Sequence, residues 1–365
     1  MTDPLNRAEV YTDREDWLSG RRSTAHGPSL SVSDIASILL GKDHDDPRDN
    51  AFEDAWSVWA RLHAPDIYAA QRAKQELLSG DDLDRGNDAE EFILGQYAKR
   101  RKVALHWPWE SRWVIFDGEP CGAPWLRGSP DHFATADALR GVEAKSDRWG
   151  DHAFAAGQDT VIEKWSPAAS RLVPLRVALQ VYGYMAITGI DSWDIVAAIP
   201  SRPKWLEYRI VRVERDDSIQ QRILDKINDW REVHLIGGEP PPFTSSKMCR
   251  AWSQRKSVAP QKTVEIATER EARLIRKLHE ARKMKRQAER EAAAAANELA
   301  ALVGEDYGRR ISSRPSGPKA TLPEVGRESL SIERLREAEP ETYNRLKAAG
   351  VITHSTHRQV RVTGF

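Results

Sequence analysis

Hydrophobic residues recur along this chain with two different periods, and the switches between them mark out its elements. After a polar arm and a Gly/Ser/Pro stretch, Ile35, Ile38 and Leu39 fall at helical spacing behind Ser33 and Asp34, either of which can cap a short helix. Residues 52–79 set Ala55, Val58, Trp59, Ile67 and Leu77 on helical steps and predict one or two helices. The stretch DLDRGNDAEEFILGQYAKR opens on capping residues and continues as an amphipathic helix. The period then drops to two. RWVIFD (112–117), WLRGSPDHF (125–133) and LRGVEAKS (139–146) read as strands, and the short turn-rich spacings between them predict an antiparallel meander. From Pro174 the helical period returns in LRVALQVYGYMAITG. WDIVAAIP (193–200) and WLEYRIVRVER (205–215) then read as strands, and residues 216–236 as a capped amphipathic helix. Such a mixed order predicts a layered α/β or α+β domain.

Around residue 253 the texture changes again. Between Val264 and Leu302, steps of three and four trace a heptad seam weakened by Glu271, Lys285 and several alanines. Residues 269–291 carry nine Lys/Arg against five Glu, a net of +4, which suits a solvated helix first and a subunit contact or DNA-tracking arm second. GRRISSRPSGPKATLPEVG (308–326) reads as a linker or hairpin, and the segment ending at Gly350 as a last helix. The expected organisation is therefore a main domain over 1–252, a long charged helix over 253–303, and a linker with a small helical tail over 304–365.

Composition narrows the function classes. The 365 residues include 55 Lys+Arg and 55 Asp+Glu, so the net charge is zero and a nucleic-acid partner would need a local basic patch or metal ions. Two cysteines, Cys121 and Cys249, exclude a disulfide scaffold and a Cys-only metal site, and fit a reducing cytoplasm. The polar, acidic N-terminus is unlike a signal peptide. No apolar run approaches the ~20 residues that a membrane span needs.

The densest chemistry lies in GSPDHFATADALRGVEAKS, residues 128–146. Asp131 follows Pro130 at the end of one expected strand, and Glu143 and Lys145 lie on the next. Strand side chains alternate, so Glu143 and Lys145 share one face while Val142 and Ala144 pack on the other. A tight meander could bring Asp131 alongside Glu143. Two carboxylates beside an ammonium can hold Mg²⁺ through oxygen ligands and leave positions for water and a phosphate oxygen. ExK alone reads first as a solvated surface pair; PD, eleven residues and then ExK is more specific. Glu90 shares a helical face with Ile93, Leu94 and Tyr97, where a charge is costly unless paired or metal-bound. Gln180 sits mid-helix among apolar residues, one turn before Tyr184, and needs a partner in the core or a ligand.

Gly86 with Glu90 four residues on, then GSPD, then VEAK, then a Pro-led helix carrying a Gln, resembles in that order the YqaJ-type viral recombinases. These are relatives of the lambda-phage exonuclease within the PD-(D/E)xK nuclease superfamily. The resemblance spans roughly residues 17–243, from Trp17 and the SDIA segment to GGEPPPF. It implies a restriction-endonuclease-like α/β core, a central mixed sheet flanked by helices, here with a C-terminal helical extension. Asp131 and Glu143 would then be the principal metal ligands, completed by the Ala144 carbonyl. Lys145 would be the catalytic lysine, Glu90 a ligand reaching through metal or water, and Gln180 a helper that positions the nucleophile. Arg21 or Arg22, with Ser33 and Ser129, would take the 5′-phosphate of a DNA end, although turn or cap chemistry is the plainer role for Ser33.

The sequence departs from the family pattern in three places. Extra residues, STAHGPSLSV, separate the arginine pair from Ser33; Val177 replaces an aromatic; and Tyr182 replaces a second Gln. The implied activity is a Mg²⁺-dependent 5′–3′ exonuclease on linear double-stranded DNA, with Mn²⁺ as an alternative metal. It would leave 3′ overhangs for a single-strand annealing protein in phage-type recombination, in a bacterial host cytoplasm. Family members form rings, often trimers, so a homo-oligomer is part of the expectation. Two alternatives stay open: an endonuclease in defence or repair, and a catalytically silent DNA-binding protein of the same fold.

Overall fold

The computed structural model describes residues 4–21, 23–41, 53–135, 138–146, 173–200, 206–256, 268–303, 310–312, 319–321 and 332–348. The chain divides into two compact units, Met1–Ser257 and Val258–Phe365. Among the described residues no helix is long and apolar enough to cross a membrane.

In the first unit a 3-10 turn leads to β1 (Glu9–Tyr11) and α1 (Arg14–Gly20). Asp13 caps α1 by accepting from the Asp16 N–H at 2.9 Å. Three short strands follow, β2 (Ser23–Thr24), β3 (Gly27–Pro28) and β4 (Leu30–Ser31), and then α2 (Asp34–Leu39). Ser33 occupies the N-cap of α2 without making a cap hydrogen bond. Asp34 instead accepts from the Ser31 N–H at 2.8 Å and from Arg61 at 2.5 Å. Asp54 caps α3 (Ala55–His63), and Pro65 opens α4 (Pro65–Arg101).

Residues 82–88 look like a fresh helix start, yet α4 runs straight through them. Packing holds both its ends, Ile67 in one cluster and Ile93, Leu94 and Tyr97 in another. A glycine and a few capping residues cost only about 1 kcal/mol each inside a helix, too little to break one anchored on both sides.

The sheet region comprises β5 (Ala104–His106), β6 (Trp113–Gly118), β7 (Ala123–Gly128), β8 (His132–Thr135) and β9 (Leu139–Ser146). Helix α5 (Leu175–Thr188), strands β10 (Ser192–Pro200) and β11 (Leu206–Glu214), and helices α6 (Asp217–Trp230) and α7 (Lys247–Lys256) complete the unit. The order β11-β10-β9-β8-β5 makes a mixed sheet in which only β9 and β10 are parallel. A smaller mixed sheet runs β1-β6-β7-β4. The unit is thus a mixed α/β fold with two mixed sheets flanked by helices.

The expected single meander is corrected here. WLRGSPDHF is two strands, β7 and β8, in different sheets. Ser129, Pro130 and Asp131 pass between them, and Pro130 has no N–H to continue a ladder. The largest core cluster gathers Leu30, Ile35, Phe116, Leu126, Phe133, Met185, Trp193 and Ile195. A second packs α4 on the five-stranded sheet through Ile93, Leu94, Tyr97, Val142, Ala144 and Val196. A third gathers Trp56, Trp59, Met248 and Cys249, with Trp252 against them.

In the second unit α8 (Glu269–Val303) precedes a hairpin of β12 (Arg310–Ser312) and β13 (Lys319–Thr321). On the seam read from the sequence Leu278 is half-buried and Leu274 exposed, while Ala272, Ile275 and His279, also half-buried, lie beside it. The single last helix expected from the sequence is two, α9 (Ile332–Ala338) and α10 (Pro340–Ala348), because Pro340 starts a new helix. Gly350 lies outside the described residues.

Candidate active site

Strand β9 carries the site by alternation. Val142 and Ala144 face α4 and are buried against Ile93, Leu94 and Tyr97, while Glu143 and Lys145 point the other way. The last β8–β9 pair is His132 with Val142, so Asp131 stands one step further, across from Glu143. Asp131 Oδ2 accepts the Ala144 N–H at 2.8 Å, which fixes the carboxylate to the strand bearing Glu143. Lys145 Nζ donates to Glu143 Oε1. The structure brings Asp131, Glu143 and Lys145 together, by a different route through the sheets than the one expected from the sequence.

The electrostatics are those of an incomplete site. Glu143 is fully buried, and burial followed by the charge of Asp131 pushes its carboxyl up to about 8. Burial also raises Asp131, against the pull of Lys145 and the Ala144 N–H. Burial opposes the charge on Lys145, but Glu143 and Asp131 together outweigh it and hold the ammonium above its usual range. One ammonium does not satisfy both acids. Among the described residues, Glu143 Oε2 is buried with no hydrogen-bond partner. Such an oxygen is costly unless something cationic meets it.

No three His, Cys, Asp or Glu side chains converge into a finished metal cage among the described residues. That donor set still fits Mg²⁺, which binds through one or two carboxylates and keeps several waters. Asp131 and Glu143 would hold the ion.

Glu90 reaches the same centre from α4. It is half-buried, and burial, then Asp131, push its carboxyl up to about 7 against Lys145 and Arg112. Gln180, also half-buried, projects from α5 and donates from Nε2 to the Tyr184 hydroxyl at 3.1 Å. Tyr184 in turn donates to the Ser129 carbonyl at 3.0 Å, so α5 is tied to the turn that carries Asp131. The Tyr184 ring stacks on Trp193 at 5.5 Å and 16°. Trp193 lies flat over Gly141, where an added Cβ would meet the indole at 2.1 Å. Gly141 is therefore the gap in β9 that admits the indole two residues from Glu143.

The residues expected to take a phosphate fall at the edge of this centre. Arg21 Nη2 donates to Ser31 Oγ at 2.5 Å, and the Ser31 and Ser33 hydroxyls are 3.0 Å apart. Arg21 stacks on Trp17 at 4.8 Å, and burial lowers its pKa while Tyr184 and Asp34 support its charge. The Ser129 hydroxyl accepts from the Trp17 indole at 2.9 Å and donates to the Val114 carbonyl. Arg22 lies outside the described residues.

Ser31, Gly141, Tyr184 and Trp193 had no functional signal of their own in the sequence. Helical spacing marks Tyr184 only as the residue one turn after Gln180.

No family model matches the chain, and no curated protein matches it. Solved structures do. An alkaline exonuclease from Laribacter hongkongensis, alone and in complex with dAMP, matches at 17% identity over 60% of this chain and 91% of its own, with a TM-score of 0.39. A phage-related exonuclease from Haemophilus somnus 129PT matches at 15% identity over 57% of this chain and 96% of its own, with a TM-score of 0.35.

Proposed function

We propose that this chain is a metal-dependent deoxyribonuclease that degrades linear duplex DNA from its 5′ ends. The observation that carries the reading is the bare, buried Oε2 of Glu143, opposite Asp131 and beside Lys145. The helix cap Asp54 also has a buried oxygen without a partner; what sets Glu143 apart is the second acid across the strand from it.

Asp131 and Glu143 would hold the metal, with the Ala144 carbonyl and Glu90 as further donors. Bound Mg²⁺ would polarise the scissile phosphate and lower the pKa of a water. Lys145, kept charged by the two acids, steadies negative charge that builds on the phosphate. Tyr184 holds the Gln180 amide by its nitrogen, which leaves the amide oxygen as the end that can accept from the attacking water. Arg21, Ser31 and Ser33 support the preference for ends, as a guanidinium with two hydroxyls suits a terminal phosphate. A 3′ overhang would be the product, of use to a single-strand annealing protein, and a ring of copies around DNA would keep the enzyme engaged.

The test is digestion of linear duplexes with 5′-phosphate, 5′-hydroxyl or blocked ends, next to a closed circle, with and without Mg²⁺. The reading expects metal-dependent loss of the linear 5′-phosphate duplex and survival of the circle. Cleavage of the circle would turn it into an endonuclease. Binding without cleavage in either metal, Mg²⁺ or Mn²⁺, would leave a silent DNA-binding protein.

A further inference from the structure

The acids of the site offer a phosphate no attraction of their own, and Lys145 is committed to Glu143. With a net charge of zero the molecule has no overall field to draw DNA in. Cations near the site have to supply that attraction, and two arginines stand on its borders.

Strand register places the first. Ala197 of β10 pairs with Lys145 on one side and with Arg209 on the other. The three residues therefore share one row and one face of the sheet, with Arg209 about 10 Å from Lys145 at ~4.8 Å per strand. The next positions of β11 on that face are Val211 and Val213, so the arginine stands beside Glu207 at the polar end of an apolar run. Its Nη2 pairs with Glu207 Oε1 at 2.7 Å, a half-exposed contact of the kind worth little. Among the described residues its Nε is buried without a partner.

Helical spacing places the second. Arg176 lies four residues before Gln180 and eight before Tyr184, so all three share one face of α5. Its charge is close enough to act on Lys145.

We propose that Arg176 and Arg209, from the helix layer and the sheet edge on either side of Lys145, hold the phosphates that flank the cut in the DNA strand. This positioning role rests on the nuclease reading above. It assigns to the rim what the carboxylate centre cannot do, which is to bind the backbone by charge.

The experiment measures the affinity of the full chain for a short blunt duplex carrying 5′-phosphates, in EDTA, from about 50 to about 200 mM salt. Wild type, R176A, R209A and R209K are compared, with thermal melting of each and cleavage in Mg²⁺. Each alanine variant should weaken binding roughly tenfold at the lower salt and reduce the salt slope by about 1, as the loss of one phosphate contact requires. In cleavage the loss should fall on KM more than on kcat. R209K should recover most of the slope, because it keeps the charge. Alanine variants with wild-type affinity and slope, from a wild type that cuts, would overturn the inference and leave the nuclease reading standing. So would an R209K as weak as R209A with a lowered melting temperature, which would mark the arginine as structural. A wild type that neither binds nor cuts the duplex would instead remove the nuclease reading itself.

Discussion

Glu143 and Asp194 lie on neighbouring strands, β9 and β10, and both are fully buried, yet the fold treats them in opposite ways. Asp194 faces α4. It accepts from the Tyr97 hydroxyl at 2.8 Å and from Arg212 at 2.8 and 3.1 Å. Burial works against its charge, but those hydrogen bonds outweigh it and hold the carboxyl below its usual range. Glu143 faces the other way, meets one ammonium and another acid, and is driven up to about 8. Equal burial thus gives one carboxylate that the fold satisfies and one that it leaves wanting. The first ties helix to sheet; the second has the character of a binding group.

The sharpest way to break this contrast is to neutralise each acid. Asp131→Asn or Glu143→Gln should cut Mg²⁺-dependent cleavage by roughly a thousandfold or more, since several kcal/mol of charge stabilisation go with the metal. The same variants should melt no lower than wild type without metal, because they relieve like charges. Asp194→Asn should do the reverse, losing about 2 kcal/mol of stability as Tyr97 and Arg212 lose a charged acceptor. If Glu143→Gln unfolds the chain as readily as Asp194→Asn, the distinction fails. Lys145→Ala should slow turnover by about a hundredfold while metal binding persists, measured by kcat and by metal titration.

A Gly141→Ala change tests the ground beneath Glu143. Its Cβ would overlap the Trp193 indole, and a cost of about 2 kcal/mol is expected in chemical denaturation.

A further test is the pH dependence of stability. The Glu143 carboxyl is raised from 4.5 to about 8, and that of Glu90 to about 7. A raised acid gives stability that is fully present below its unfolded value and is lost as pH rises through its folded value. Metal-free protein should therefore melt at lower temperature as pH climbs from about 5 to about 8. Glu143→Gln should flatten that slope, and Mg²⁺ should bind more tightly over the same rise as protons leave the site. A slope unchanged by Glu143→Gln would show that the acid is not strained.

The same pair shows how far the sequence could be read. Glu143 was legible because Val142 and Ala144 bracket it and Lys145 follows at strand spacing, a local pattern with a chemical meaning. Asp194 in WDIVAAIP carried no such mark, since its partners Tyr97 and Arg212 are 97 and 18 residues away. From the sequence Asp131 reads as the end of a single strand; only the tertiary pairing reveals that β7 and β8 lie in different sheets on either side of Pro130. The continuous α4 was hidden by its own capping residues, whose local preference was overruled by packing at its two ends. Ser31 and Arg209 were passed over because a serine near a turn and an arginine on a strand are common in solvent-facing roles. Their meaning comes from what Arg21 and the Lys145 row bring beside them.

The Ser129–Pro130–Asp131 crossing has one more consequence. Asp131 stands where the backbone leaves one sheet for the other, and its bond to the Ala144 N–H pins that crossing to the strand of Glu143 at one angle between the sheets. That angle is braced by rings from both sides: Phe116 of β6 meets Phe133 of β8 edge-on at 5.9 Å, and Phe133 meets Trp193 at 6.1 Å. Small ions demand short, inflexible coordination, while larger ones tolerate a wider jaw. For the metal site proposed above, the choice between them would be a mechanical property, set by how stiffly three aromatic side chains brace the crossing.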